Sequence, residues 1–490
     1  MKLSDDEITL KGDRIIAHVP SIKDKTLRIN LNENIYGTFA EIGAGQETVR
    51  HFFRSGGSSG TIAKAMSAYD KDFSDAIYGI EDDGRYVTES RLKKMLGHEV
   101  RIMEERLKRE KHPSKVFFSY ANTVATIDFA KQFKGHGWVG IRYQVEPDED
   151  YNEIILHIRF RETDARLQQE TLGTLGVNLI YGAFYKYNDP KKLLRYLYDH
   201  LDKDQLEIDT INFSGPRFAD VDNRLMSLQL VKNGMTDAVM FDPSGHNVLP
   251  AAILYKKNIL ALRGSFRPVT KVNMDMYEKS IKMFLDENKV DPEKALVVFE
   301  ITLSNLRSDG EIDERDFMDR AELLCSLGQT VMISNFQEYY KVVEYFSAYT
   351  KARMGLAMGV SNLVDIFDEK YYRHLSGGIL EAFGKLFYRD LKVYLYPMKD
   401  EEGHVIDSEN LKVHPRMKEL YKFFKFNGKV IDIPEVDVNN LNIFSREVLK
   451  MISKGKPGWE PMLPAGIAEI IKQNHLFGYD PKKQLAEQTL

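Results

Sequence analysis

The 490-residue chain has little that would anchor it outside an ordinary soluble fold. It holds one cysteine, Cys325, which excludes an intrachain disulfide and a zinc site built from several thiols. Its neighbours Leu323, Leu324 and Leu327 predict a buried packing residue rather than a nucleophile. No run approaches the roughly 18 apolar residues of a membrane-spanning helix. The alternating ten-residue strands of an outer-membrane barrel are missing as well. The opening Met-Lys-Leu-Ser-Asp-Asp-Glu-Ile lacks the apolar core of a signal peptide. A basic excess is lacking too: 68 Lys and Arg stand against 73 Asp and Glu, a net charge of −5, which argues against a general nucleic-acid binder. No internal repeat or low-complexity segment stands out. The expectation is a cytoplasmic protein with neither a membrane nor a nucleic acid as partner.

What is present suits a globular chain. Hydrophobic residues make up 43% and charged residues 29%, and the length suffices for two to four domains. Residues 1–36 alternate weakly, at Arg14–Val19 and Leu27–Leu31, as edge strands do. A helix is predicted from Thr88 to about Lys111, with Leu92, Met95, Leu96, Val100, Met103 and Leu107 forming a core stripe. Strands follow at Val116–Tyr120, Gly137–Gln144 and Ile154–Phe160, then helices at Arg166–Tyr185 and Lys191–Leu201. Further strands are expected at Glu207–Phe213 and Ala251–Tyr255.

From Ile259 the rhythm becomes regular. Strands at Ile259–Leu262, Ala295–Ile301, Thr330–Ser334, Met354–Val360 and Leu391–Tyr396 alternate with helices at Asn273–Leu285, Asp316–Leu327, Gln337–Thr350 and Gly377–Phe387. Such alternation implies βαβ units and a parallel sheet. The fold class is therefore α/β: a mixed α/β region over 1–255, a Rossmann-like sheet over 256–400 and a small helical tail over 401–490.

The most informative stretch is Ile259 to Met274, where a strand meets a turn built on Gly264 and Pro268 and then a helix. A helix N-terminus at the carboxyl end of a parallel strand suits a phosphate. Gly264 allows close backbone approach, and Arg263 and Arg267 offer guanidinium forks. Gly264, Phe266, Pro268 and Thr270 fall on the G-x-F-D-P-x-[TH]-x-G-H pattern, so the segment resembles the nucleotidyltransferases. Arg267, Val272 and Asn273 stand where that pattern has Asp, Gly and its phosphate-activating His. Downstream, Val297–Asn305 and Arg320-Ala-Glu-Leu-Leu324 are similar to the family's second strand and following helix. The resemblance spans about 259–334. It implies a nucleotide bound through Arg263, Gly264 and Ser265, adenylyl transfer assisted by Thr270 and Arg267, and ATP with Mg²⁺ as cofactors. The whole chain also resembles a group of bacterial proteins of about this length labelled nicotinate-nucleotide adenylyltransferase or TonB-dependent receptor. The second label conflicts with the missing export signal and barrel pattern.

Two other regions could carry chemistry. Gly37 to Thr61 is dense in glycine beside Glu41, Glu47, Arg50 and His51. Within it Gly56, Gly57, Ser58, Ser59, Gly60 and Thr61 offer free N–H groups as an anion nest before a helix-like Ile62–Met66. Gly43-x-Gly45 lacks the third glycine of a dinucleotide loop and has no evident strand before it. His136, between two glycines, is placed for acid–base work. Asp220 and Asp222 could hold magnesium, although Arg217 and Arg224 beside them favour a surface ion-pair loop. Ser308–Glu314 departs from the order of a calcium loop and reads as solvated charge. Three functions follow: a nucleotide-binding transferase, a non-catalytic homo-oligomeric scaffold on a relic nucleotide fold, or a different enzyme centred on 41–61 and His136.

Overall fold

A computed structural model describes residues 8–11, 14–17, 19–308 and 311–482. The chain forms two compact units, Met1–Thr236 and Asp237–Leu490.

In the first unit, helix α1 (Ile22–Asn30) takes in most of the stretch expected as a second edge strand. The physical reason is its start: Asp24 N–H donates to Ser21 Oγ at 3.2 Å and Ser21 N–H returns to Asp24 Oδ2 at 3.3 Å, a reciprocal cap that commits the chain to a helix. Strand β1 (Ile35–Gly43) follows, then α2 (Glu47–Ser55), β2 (Ile62–Ala68), α3 (Lys71–Tyr78) and α4 (Glu89–Arg106). The helix expected at Ile62–Met66 is this strand β2. Its residues alternate between partly buried and exposed and pair in parallel with β1, so tertiary pairing overrides the helical propensity of its Ala, Lys and Met. Thr88 caps α4 through Arg91 N–H.

Strands β3 (Val116–Ala125), β4 (His136–Tyr143) and β5 (Asn152–Phe160) precede α5 (Ala165–Tyr185), α6 (Pro190–Tyr196), β6 (Leu206–Ser214) and α7 (Asn223–Lys232). The sheet order is β2-β1-β3-β4-β5-β6, parallel across β2, β1 and β3 and antiparallel beyond. β1 and β3 are buried almost throughout, as strands covered on both faces must be. One face meets α4, where Ser119 Oγ–H donates to Leu96 O. On the other, Tyr120 meets Thr48 of α2 at 3.1 Å.

The second unit opens with β7 (Ala238–Phe241) and the two-residue β8 (Asn247–Val248), then α8 (Pro250–Leu254). This helix takes most of the strand expected at Ala251–Tyr255, because Pro250 at the first helical position pre-sets a helix. There follow β9 (Asn258–Arg263), α9 (Lys271–Leu285), β10 (Ala295–Thr302), α10 (Glu314–Ser326), β11 (Thr330–Ser334), α11 (Tyr339–Ser347), β12 (Met354–Gly359), α12 (Val360–Ile366), α13 (Gly378–Leu386), β13 (Lys392–Tyr396), α14 (Lys418–Phe426), β14 (Val430–Asp432), α15 (Ser445–Lys454) and α16 (Ile467–Asn474). The sheet runs β8-β7-β11-β10-β9-β12-β13-β14. From β11 to β14 it is parallel, while β7 and β8 add an antiparallel edge. This is a Rossmann-like doubly wound sheet with a helical C-terminal region. The tail also contributes β14, which pairs with β13. Cys325 is buried in α10, and no helix among the described residues is long and apolar enough to cross a membrane.

Candidate functional site

In a doubly wound sheet, ligands collect outside the carboxyl ends of the strands where the strand order reverses. Here the reversal lies between β9 and β12, and a groove of about 690 Å³ opens there. Its walls come from the ends of β9 (Arg263, Gly264, Ser265), β10 (Thr302, Asn305), β12 and α12 (Gly359, Ser361, Asn362) and β13 (Tyr396). Phe444 and Arg446 at the start of α15 complete it.

Arg263 is a wall, not a free cation. Its Nε–H and Nη2–H donate to Glu300 at 2.9 and 2.8 Å, Nη1–H donates to Gln337 O at 3.0 Å, and the guanidinium lies 4.3 Å from the Tyr339 ring centre. Burial opposes its charge, but the Glu300 carboxylate more than offsets this and holds its pKa above the ordinary value. Glu300 also accepts from Ser334 Oγ–H at 2.6 Å. The Gly264–Ser265 turn is held from beneath: Arg320, fully buried, donates to Ser265 O at 3.0 Å and Asn305 O at 2.8 Å. Phe266, at φ 46°, tucks its ring 5.2 Å from that of Phe299.

The remaining residues of the motif separate. Thr270 is buried and caps α9, and the Asn273 side chain turns back to accept from Thr270 N–H at 2.9 Å and from its hydroxyl at 3.1 Å. The residue in the position of the family's histidine therefore serves its own helix. Arg267 does not line the groove. Its Nε lies 2.5 Å from Asp316 Oδ1, in a separate depression with His475, Phe477 and Asp480. Arg446 is exposed at the groove and has no hydrogen-bond or ion-pair partner among the described residues. No motif marks it, since it lies 183 positions after Arg263.

In the first unit, Gly43-Ala-Gly45 joins β1 to α2, so a clear strand does precede it. A Cβ on Gly45 would stand 1.9 Å from Asn122 Oδ1, which requires glycine there. Glu41, two residues before Gly43, is buried, and burial pushes its carboxyl up to about 8. Glu47 pairs with Arg50 at 2.7 Å, and Gly173 of α5 packs against Glu47 and His51. Within the 56–61 turn two N–H groups are taken up internally. Gly60 N–H donates to Gly57 O and Thr61 N–H to Ser58 O. Thr61 Oγ–H donates to Asn30 O and Asn30 Nδ2–H to Gly56 O. Ser59 lies in the same single turn of 3-10 helix, Ser58–Gly60. Lys64 pairs with Glu99 at 2.6 Å. His136 opens β4, against His157. Arg217 and Arg224 pair with Glu149 and Asp222, as an ion-pair loop does.

No family model matches the sequence, and no curated protein matches it. Among solved structures, similar ones include the competence-damaged protein (CinA) superfamily protein from Enterobacter cloacae, at 11% identity and TM-score 0.26, covering 36% of this chain and 99% of that one. The competence/damage inducible protein CihA from Agrobacterium tumefaciens is 15% identical at TM-score 0.24, covering 34% of this chain and 97% of that one. The CinA superfamily protein from Escherichia coli is 13% identical at TM-score 0.23, covering 36% and 92%. Scores of this size carry no functional argument.

Proposed function

We propose that the second unit binds a nucleotide in the groove between β9 and β12, and that the chain is a nucleotide-binding enzyme of nucleotidyltransferase type. The observation that carries this reading is Arg446, without a partner among the described residues, facing a crevice of mixed polar and apolar lining at the reversal of strand order. Phosphates would meet Arg446 and the hydroxyl and amide groups of Ser361 and Asn362. Phe444, exposed at the groove, offers a flat face for a base. Magnesium commonly arrives on phosphates and needs only one or two protein carboxylates; Asp365, exposed at the groove, fits that role. With Asn273 uncharged and folded back on its helix, compensation for charge on the transferring phosphate falls to Arg446.

Thermal unfolding with ATP, dinucleotides and nicotinate mononucleotide, with and without magnesium, tests the proposal. A nucleotide at 100 times its dissociation constant adds about 2.7 kcal/mol. Arg446→Ala is expected to weaken binding about tenfold to a hundredfold, while Arg267→Gln leaves it unchanged. Absence of any nucleotide shift, or a shift untouched by Arg446→Ala, sinks this assignment.

A further inference from the structure

Three side chains of the first unit, distant in sequence, form one hydrogen-bonded row across β4, β5 and β6. In the antiparallel register His136 lies opposite Arg159, and Trp138 opposite His157. Between β5 and β6 the register slips: His157 pairs with Thr210 and Ile158 with Ile208, leaving Asp209 as the extra residue of a bulge. A bulge re-aims the side chain it carries. Asp209, which regular alternation would send to the other face, places Oδ1 2.6 Å from His157 Nδ1. His157 Nε2 lies 3.3 Å from His136 Nδ1. The Trp138 ring packs 4.9 Å from that of His157, and both His157 and Asp209 are buried. Only His136 is partly open, and its Nε2 has no partner among the described residues.

We propose that Asp209, His157 and His136 form a proton relay that makes His136 Nε2 the base of a second site, one that takes a small anionic substrate beside Arg159, which the strand register sets opposite His136. With both rings neutral, His157 Nδ1–H donates to the Asp209 carboxylate. His157 Nε2 then accepts from His136 Nδ1–H, which leaves the lone pair of His136 Nε2 facing outward. When Nε2 takes a proton from a substrate O–H or N–H, the Nδ1 proton of His136 passes to His157 Nε2. The substrate is left as its conjugate base, and the positive charge rests on His157 beside Asp209.

The relay answers a difficulty in the local electrostatics. Burial, His157 and the guanidinium groups of Arg159 and Arg85 together push His136 down to about 4, with only Asp209 acting the other way. A charge held on His136 itself is disfavoured, whereas one moved to His157 sits against a carboxylate. Glu207 of β6 is pushed up by burial and by Asp209, and accepts from Thr236 Oγ–H at 2.5 Å. Asp209 is the carboxylate that meets the row directly, at His157 Nδ1. Arg159, opposite His136 in the strand register, disfavours a cation there and favours an anion.

Carbethoxylation of the full-length protein by diethyl pyrocarbonate, followed by peptide mass spectrometry, reads the nucleophilicity of each histidine. His246 and His404, both exposed, serve as internal references. Asp209→Asn and His157→Gln are expected to slow modification of His136 about tenfold and to leave the references unchanged, with near-ultraviolet circular dichroism reporting an intact fold. Wild-type protein supplies a second test that needs no variant: acetate or inorganic phosphate protects His136 saturably, and does not protect His246. An equal His136 rate in both variants overturns the relay. Absence of protection by either anion overturns the substrate class. Neither result bears on nucleotide binding in the second unit.

Discussion

Glu41 is a carboxylic acid buried in β1 with no cation among the groups that set its ionisation. Burial dominates, and the charge of Glu47 acts in the same direction against a single backbone hydrogen bond from Val49. Its pKa in the folded chain, about 8, stands above the ordinary 4.5. The folded state therefore keeps a proton that the unfolded state loses, so stability contributed below about pH 4.5 is lost as pH rises towards 8. Glu41→Gln removes the ionisation and keeps the shape. The variant is expected to match wild type near pH 5 and to exceed it at pH 8 by about 2–4 kcal/mol, read from urea midpoints at the two values. At the same scale, Arg263 and Arg446 show how two arginines of one groove differ in what they are free to do. The first is neutralised by Glu300 and stacked on Tyr339; the second is exposed with no partner among the described residues.

Helix α5 meets α2 through glycines. A Cβ on Gly176 would lie 2.4 Å from Thr48 Oγ1 and 2.5 Å from Tyr120 Oη, and one on Gly173 would lie 2.7 Å from Glu47 Cβ. Alanine is the better helix former by about 1 kcal/mol, but forcing a methyl group into a packed seam costs about 1–3 kcal/mol. Gly176→Ala is expected to destabilise the first unit by about 1–2 kcal/mol net of these terms. Gly97 of α4 has open space around its Cβ position, so Gly97→Ala is expected to stabilise by up to about 1 kcal/mol. Chemical denaturation of the two variants checks the opposite signs.

The same elements show what a sequence can reveal. From Ile259 onward most helices are long and the intervening strands continuously apolar, so β9 to β13 and helices α9, α10, α11 and α13 stand out within a few residues, whereas the seven-residue α12 does not. β7 and β14 do not, because four and three residues are too few to establish a period. β2 reads as helix because Ala, Lys and Met are good helix formers, and only its pairing with β1 decides otherwise. At the groove, Gly264 and Ser265 announce themselves through a local motif. Ser361, Asn362 and Arg446 arrive from α12 and α15, which nothing local ties to that motif. His157 and Asp209 are hidden from His136 in the same way, the first lying 21 positions after it and the second a further 52 on, with a bulge that breaks the expected alternation.

At the scale of the molecule, each unit carries its own sheet and its own buried core, the condition for independent folding. Differential scanning calorimetry is expected to show two transitions. One should be reproduced by Asp237–Leu490 expressed alone, and it alone should rise with saturating nucleotide, by about 2–4 °C for each kcal/mol of binding stabilisation. A single transition for the whole chain, or a shift in the other unit's transition, contradicts that expectation.

The eight-stranded sheet also ends in a particular way. Its outermost strands, Asn247–Val248 on one side and Val430–Asp432 on the other, are two and three residues long. A neighbouring chain looking for backbone partners would find almost no ladder to extend at either border. The long, apolar parallel strands that make this core are thus kept from becoming templates for intermolecular fibrils in a crowded solution.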